Sequence, residues 1–188
     1  AKAGLWGSWE SFYQPNVVGT RNVINACRAC GVPKLVFTSS PSVVFNNHPH
    51  TGADESLPYP DRYESYYPQT KAMAEQMILA ANDADLLTVS LRPHLIWGPR
   101  DTHILPGIIA RAREKKLIQV GDGSNRVDMV YVEDAARAHL LAADVLQPGS
   151  PAAGAAYFIT QDEPVNLWGW IGELLRSVGV EPPKKHVS

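Results

Sequence analysis

Tyr67-Pro68-Gln69-Thr70-Lys71, continuing as Ala72-Met73-Ala74-Glu75-Gln76-Met77-Ile78-Leu79, is the stretch on which the reading of this chain turns. A tyrosine and a lysine four residues apart lie on one face of a helix, one turn above the other. Strong helix formers run on from Lys71, and Ser65 stands where an N-cap is expected. Pro68 fits the first turn, whose N–H groups have no intrahelical partner. Tyr67 then sits close to a helix N-terminus, where the dipole favours negative charge, with a lysine beside it. An unperturbed phenol has a pKa near ~10. Helix end and Lys71 together are expected to push it toward phenolate and make it serviceable as an acid/base. The spacing also arises by chance, so its neighbours decide what it means.

Upstream, Lys34-Leu35-Val36-Phe37-Thr38-Ser39-Ser40 is a short apolar run ending in hydroxyls. It follows a helical pattern over residues 8–30, with apolar positions at Val17, Val18, Val23, Ile24, Ala26 and Cys27 and a stop at Gly31-Val32-Pro33. Downstream, Leu86-Leu87-Thr88-Val89-Ser90-Leu91 gives a second buried-strand pattern and runs into the stiff segment Arg92-Pro93-His94-Leu95-Ile96-Trp97-Gly98-Pro99. Helix, tight turn and apolar run together mark a parallel strand, so the fold class is α/β. Ligands of such sheets bind beyond the carboxyl ends of the strands, which is where Thr38, Ser39 and Ser40 fall. A serine there can hydrogen-bond a substrate oxygen, or simply cap the next helix. Gly19 costs about 1 kcal/mol against alanine inside a helix, which points either to close approach of another element or to plain tolerance.

With 188 residues, 45% hydrophobic and 19% charged, the chain can build one domain with a sizeable core. A net charge of -2 gives no reason to expect nucleic acid or an anionic membrane as partner. No run reaches the ~20 apolar residues of a membrane span, and no signal-peptide pattern opens the chain. Cys27-Arg28-Ala29-Cys30 has C-x-x-C spacing, yet it lies late in a helix pattern with no second pair and no spaced histidine. It reads as two small helix residues in a reducing, cytoplasmic compartment. His48-Pro49-His50 falls in a loop rich in Pro, Gly and Asn over 41–63, without a Cys/His or acidic cluster, and no metal site is expected.

Four motifs stand in order: Asn-Val-x-Gly-Thr at 16–20, Thr-Ser-Ser at 38–40, Tyr-x-x-x-Lys at 67–71 and Arg-Pro-x-x-Ile-x-Gly-Pro at 92–99. Together they resemble the extended short-chain dehydrogenase/reductase superfamily. The Tyr-Pro-x-Thr-Lys form, with Lys2-Ala3-Gly4-Leu5-Trp6-Gly7-Ser8-Trp9 ahead of the first helix, is most similar to its 3β-hydroxysteroid dehydrogenase branch. That branch includes sterol-4α-carboxylate 3-dehydrogenases and bacterial 2-alkyl-3-oxoalkanoate reductases. The resemblance implies an NAD(P)-dependent oxidoreductase acting on a secondary alcohol or ketone in a bulky apolar substrate. It implies Tyr67 as acid/base, Lys71 lowering its pKa and holding the nicotinamide ribose, and Ser40 polarising the substrate oxygen. Thr38, Ser39, Pro93, His94 and Ile96 would line the nicotinamide half of NAD or NADP, and Asn16 would support the active-site helix.

The superfamily's glycine-rich strand-turn-helix fingerprint is missing. Gly121-Asp122-Gly123-Ser124-Asn125-Arg126 has two glycines without that context and reads as a hairpin turn. The expected fold is therefore an incomplete Rossmann-like, doubly wound parallel sheet, with residues 1–103 as its catalytic half. Residues 104–188 would form a small C-terminal α+β substrate-binding region. Its expected elements are a helix over Leu105–Lys116, a strand over 126–132, a helix opened by Glu133 and Asp134 with Asp134 either a cap or a functional residue, a strand over 156–160 and a helix capped by Asn166. Such a chain would look like a fragment, open to pairing with itself as a homodimer. Two other readings stay open: a nucleotide-sugar epimerase or dehydratase, which shares Tyr, Lys and Ser, and a truncated, inactive module.

Overall fold

The computed structural model of the protein describes residues 1–4, 6–102 and 104–187. In chain order the elements are α1 (Trp9–Tyr13), a π-helical turn (Gln14–Val18), α2 (Gly19–Ala29), β1 (Lys34–Thr38), a 3-10 turn (Pro41–Val44), α3 (Tyr66–Ala80), β2 (Leu87–Pro93), β3 (Ile96–Trp97), α4 (Ile104–Arg113), β4 (Gln119–Val120), β5 (Arg126–Val127), β6 (Val130–Tyr131), α5 (Val132–Val145), β7 (Ala155–Ile159), β8 (Val165–Asn166), α6 (Leu167–Ser177) and β9 (His186–Val187). They form two compact units. The first joins Ala1–His94 with Ala136–Ile159, and the second joins Leu95–Ala135 with Thr160–Ser188. Residues 136–159, placed with the C-terminal region on sequence grounds, thus return to the first unit.

The first unit is built on a parallel sheet in the order β1-β2-β7. Its middle strand decides the packing. β2 is buried along its whole length, yet only every second residue is apolar. Leu87, Val89 and Leu91 pack with Ala142, Leu146 and Ala152 on one face. Thr88, Ser90 and Arg92 alternate with them, as the two-residue period of a strand requires, and turn to α3. There Thr88 Oγ1 donates to Ile78 O at 2.7 Å, while Ser90 and Arg92 bond Glu75. A second apolar cluster joins Ile24, Ile78, Ala81 and Leu86, and a third joins Val43, Val44 and Ala72.

The helical pattern over residues 8–30 becomes one continuous run broken at Pro15 into the π turn. Such turns are uncommon and concentrate at functional sites. This one buries Asn16 and Val17. The run stops as expected: Gly31 adopts φ 63° and Val32 N donates to Cys27 O at 2.8 Å, closing the helix end. One expectation is narrowed and one open alternative is decided. Val23 is 48% exposed and Ala26 is exposed too, so the buried stripe is narrower than the apolar pattern. A Cβ on Gly19 would meet nothing closer than Gln14 O at 3.6 Å, so no other element crowds it.

The second unit holds short strands. β3 pairs parallel with β6, β4 parallel with β9, and β5 antiparallel with β8. Gly121 and Gly123 do turn the chain with positive φ, but the strands flanking them take different partners, so the turn is not a hairpin. The expected strand over 126–132 is two short pieces, and α4 ends at Arg113 rather than Lys116. Asn166 caps α6 as expected, accepting from Gly169 N at 2.7 Å. Asp134 falls in the first turn of α5, where Gln161 Nε2 donates to its carboxylate at 3.0 Å. Trp97 packs edge-on against Tyr131 and Trp170, with ring centroids 5.2 and 5.6 Å apart.

Candidate active site

α3 carries Tyr67, Lys71 and Glu75 at steps of four residues, hence along one face. Its N-cap position is Ser65, in extended conformation as a cap requires, but the serine side chain makes no capping bond. The helix is held at its base by Asn16 of the π turn. Asn16 Nδ2 donates to Thr70 Oγ1 at 3.0 Å and to Lys2 O at 3.0 Å, and its Oδ1 accepts from Lys2 N at 2.6 Å. Every polar atom of this buried amide is thereby satisfied.

The hydroxyl run at the end of β1 meets that helix. Ser40 shares a 2.9 Å hydrogen bond with Ser42 Oγ and accepts from Ser42 N at 3.3 Å, and its hydroxyl is near enough to the Tyr67 phenol to pull that group's pKa down. It therefore both caps the 3-10 turn and faces the tyrosine. Lys71 is 3% exposed; its Nζ donates to Thr38 O at 2.6 Å and lies 4.1 Å from the centre of the Phe37 ring. Thr38 Oγ1 lies 2.7 Å from His139 Nε2 of α5. Ser39 is buried, and its Oγ has no hydrogen-bond partner among the described residues. The structure thus brings Thr38, Ser39, Ser40, Tyr67 and Lys71 together at the carboxyl end of β1. Pro93 and His94 continue the neighbouring strand, where His94 N donates to Ile159 O at 3.1 Å. Ile96 belongs to the second unit and pairs with Val130.

The electrostatics differ from the expectation for Tyr67. Burial pushes its phenol above the ordinary 10.0, and the Ser40 hydroxyl pulls the other way. Lys71 spends its charge on the Thr38 carbonyl and its own pKa is pushed down to about 8 by burial, with the Glu75 carboxylate drawing it back up. The protein's own groups thus hold a neutral phenol, not a phenolate.

Beneath these residues lies a polar centre that the sequence reading passed over. Glu75, fully buried, accepts from Tyr59 Oη at 2.7 Å, Ser90 Oγ at 2.7 Å, Arg92 Nη2 at 2.7 Å and Arg92 Nε at 3.1 Å. These donors hold its carboxyl below the usual range against the opposing effect of burial. Arg92 lies between the rings of Phe158 and Tyr59, at 5.4 and 5.8 Å from their centres. The signal was present: Glu75 continues the Tyr67–Lys71 stripe by one more turn, and a carboxylate on a buried helical face needs a cation.

Hydroxyls, a buried lysine and a proline-stiffened turn at the carboxyl ends of adjacent parallel strands suit the nicotinamide and ribose end of a dinucleotide. Among the described residues, no cluster of His, Cys, Asp and Glu could hold a metal ion, and no helix is long and apolar enough to cross a membrane. Cys27 and Cys30 are free thiols, the first partly buried and the second exposed.

Fold and site together define a Rossmann-like α/β protein. Solved structures bear this out: UDP-glucuronic acid 4-epimerase from Bacillus cereus in complex with NAD superimposes with a TM-score of 0.82, at 23% identity, over 100% of this chain and 60% of that one. MoeE5 in complex with UDP-glucose and NAD gives 0.77, at 29% identity, over 100% and 63%. Within that class the chain belongs to the 3-beta hydroxysteroid dehydrogenase/isomerase family, whose pattern matches residues 6–187. Relatives include the 2-alkyl-3-oxoalkanoate reductase of Stenotrophomonas maltophilia, 51% identical over 100% of this chain and 58% of that protein. The human decarboxylating sterol-4-alpha-carboxylate 3-dehydrogenase is 41% identical over 95% of this chain and 48% of that protein. The chain spans about half the length of the curated relatives it matches.

Proposed function

We propose that this chain carries the catalytic residues of an NAD(P)-dependent oxidoreductase that interconverts a secondary alcohol and a ketone in a bulky apolar substrate of the 3β-hydroxysteroid, sterol-4-carboxylate or 2-alkyl-3-oxoalkanoate type. The observation that carries the reading is the convergence of Ser40, Tyr67 and Lys71 at the carboxyl end of β1. Tyr67 is the acid/base, Ser40 polarises the substrate oxygen, and Lys71 holds the nicotinamide ribose. Thr38, Ser39, Pro93 and His94 line the nicotinamide half. The unit of Ala1–His94 with Ala136–Ile159 acts as the catalytic half, and the unit of Leu95–Ala135 with Thr160–Ser188 as the substrate-binding region.

The raised phenol pKa favours one direction at neutral pH. In reduction the carbonyl carbon takes up a hydride while the Tyr67 phenol gives its proton to the oxygen, with Ser40 bonded to the same oxygen. When bound, a reduced nicotinamide supplies that hydride. Alcohol oxidation needs the phenolate, so its rate is expected to climb with pH toward the phenol pKa, while reduction stays level until the phenol is lost.

Titration of reduced-nicotinamide fluorescence tests cofactor binding by the 188-residue chain. Saturable binding, followed by turnover of a 3-keto substrate that Tyr67→Phe lowers about 100-fold or more, is the expected result. A folded Tyr67→Phe variant equal to wild type would retire the tyrosine and favour an inactive module. The epimerase or dehydratase reading has one observation in its favour, the UDP-glucose named with its structural neighbour. Turnover of a UDP- or dTDP-sugar with retained cofactor, and none of a 3-keto acid, would replace the first reading with it. The expected partners are a small hydroxy or keto substrate and, for this chain alone, a second copy of itself.

A further inference from the structure

We propose that Glu75 is a positioning residue for Lys71: its carboxylate, locked by Arg92, Ser90 and Tyr59, supplies the buried negative charge that keeps the Lys71 ammonium in place on Thr38 O. The inference rests on the reading of Lys71 as the lysine of the site.

Lys71 is almost completely removed from water, and among the described residues no carboxylate comes within ion-pair distance of it. A buried ammonium in that position tends to shed its proton. Its donor contact is a carbonyl dipole, and its flanking contact is the face of Phe37. The nearest counter-charge along the helix is Glu75, one turn on and on the same face. That carboxylate cannot swing toward Lys71, because both oxygens are already bonded from β2 and one of them also from the loop before α3. It acts at a fixed distance, as an oriented charge. The other ionisable groups gathered there are Tyr67 on α3, Arg92 on β2, Tyr59 and Tyr63 from the preceding loop, and His139, which meets Thr38 from α5. Of these, Glu75 is the anion. It is the group that draws the Lys71 pKa upward against burial, leaving it at about 8 and the lysine charged at neutral pH. A positive lysine makes a charge-assisted bond to Thr38 O; a neutral one keeps only a weaker N–H bond there.

The test follows Lys71 itself, by the pH dependence of its Cε carbon resonance in 13C-lysine-labelled chain, assigned with Lys71→Arg. No cofactor is needed. Glu75→Gln is expected to lower the Lys71 midpoint by about one pH unit or more, leaving about half of it or more neutral at pH 7. A general loosening of the fold would do the opposite, because readmitted water moves the midpoint up toward the ordinary 10.5. An unchanged or raised midpoint in folded Glu75→Gln overturns the proposal. Should that variant lose its fold, the double variant Glu75→Gln with Arg92→Met takes its place. Neutral replacement of a buried pair is often tolerated. A smaller downward movement is expected there, and an unchanged or raised midpoint again overturns the proposal. A chain that binds no reduced nicotinamide would sink the functional reading without touching this result.

Discussion

Lys71 carries a cost that pH reveals. Unfolded, it titrates at its ordinary 10.5; folded, at about 8. Between those values the unfolded chain keeps a proton that the folded chain has released, so stability rises with pH across the window. Below pH 8 the buried charge is a standing penalty. Lys71→Met is therefore expected to stabilise the fold at pH 7 by about 1–3 kcal/mol, seen as a higher Tm, with the gap to wild type closing by about pH 10.5. A variant that melts lower at pH 7 would contradict this. Such stabilisation at the expense of a charged site residue is the usual trade between activity and stability. Tyr67 shows how far residue types alone reach. Its place on the helix and its neighbour Ser40 were legible, but the direction of its pKa was not. That direction depends on where Lys71 spends its charge, and the lysine reaches Thr38 O through a fold-level contact 33 residues away in sequence.

At the scale of elements, α3 is fastened to the sheet by polar contacts set in an apolar frame. The strand periodicity of β2 was visible in Leu87-Thr88-Val89-Ser90-Leu91-Arg92, yet alternation ordinarily means one wet face. Here the second face is dry because Ile78 O and Glu75 accept from Thr88, Ser90 and Arg92, leaving Arg92 Nη1 as its one buried nitrogen without a partner among the described residues. Arg92→Ala would leave Glu75 buried without its cation and is expected to cost about 3–5 kcal/mol, read as a lower urea midpoint. The neutral double replacement of Glu75 and Arg92 should cost less than the single change, since breaking a buried pair is worse than removing it. Asn16→Ala strips the π turn of its bonds to Thr70 and to the Lys2 backbone, and about 1–3 kcal/mol is expected from the groups left unpaired. The second unit was less legible for a physical reason. Strands of two residues, such as β4 and β5, are too short to show a period, and their partners β9 and β8 come from far along the chain.

At the scale of the molecule, the first unit keeps an open apolar flank. β1 pairs only with β2 among the described residues, and its far edge offers unpaired backbone groups. On α5, Leu140, Leu141 and Val145 are 68%, 52% and 55% exposed, and an open groove of about 500 Å³ runs beside them, lined by Leu141, Val145, Val89, Leu91 and Ile159. Exposed apolar faces beside an unpaired strand edge tend to draw in another surface, and for this chain in isolation a second copy of itself is the expected one. Sedimentation equilibrium is therefore expected to give a mass that rises with concentration from the monomer value of 20.6 kDa. Placing charge on the flank with Leu141→Lys and Val145→Lys should hold the chain at monomer mass and reduce uptake of an apolar fluorescent dye. Both residues are more than half exposed, so the substitutions bury no charge and should leave the unfolding free energy within about 0.5 kcal/mol of wild type. If the doubly substituted chain associates as strongly as wild type, the α5 flank is not the contact. A lysine added beside the open edge of β1 would then distinguish strand pairing from helix packing as the route.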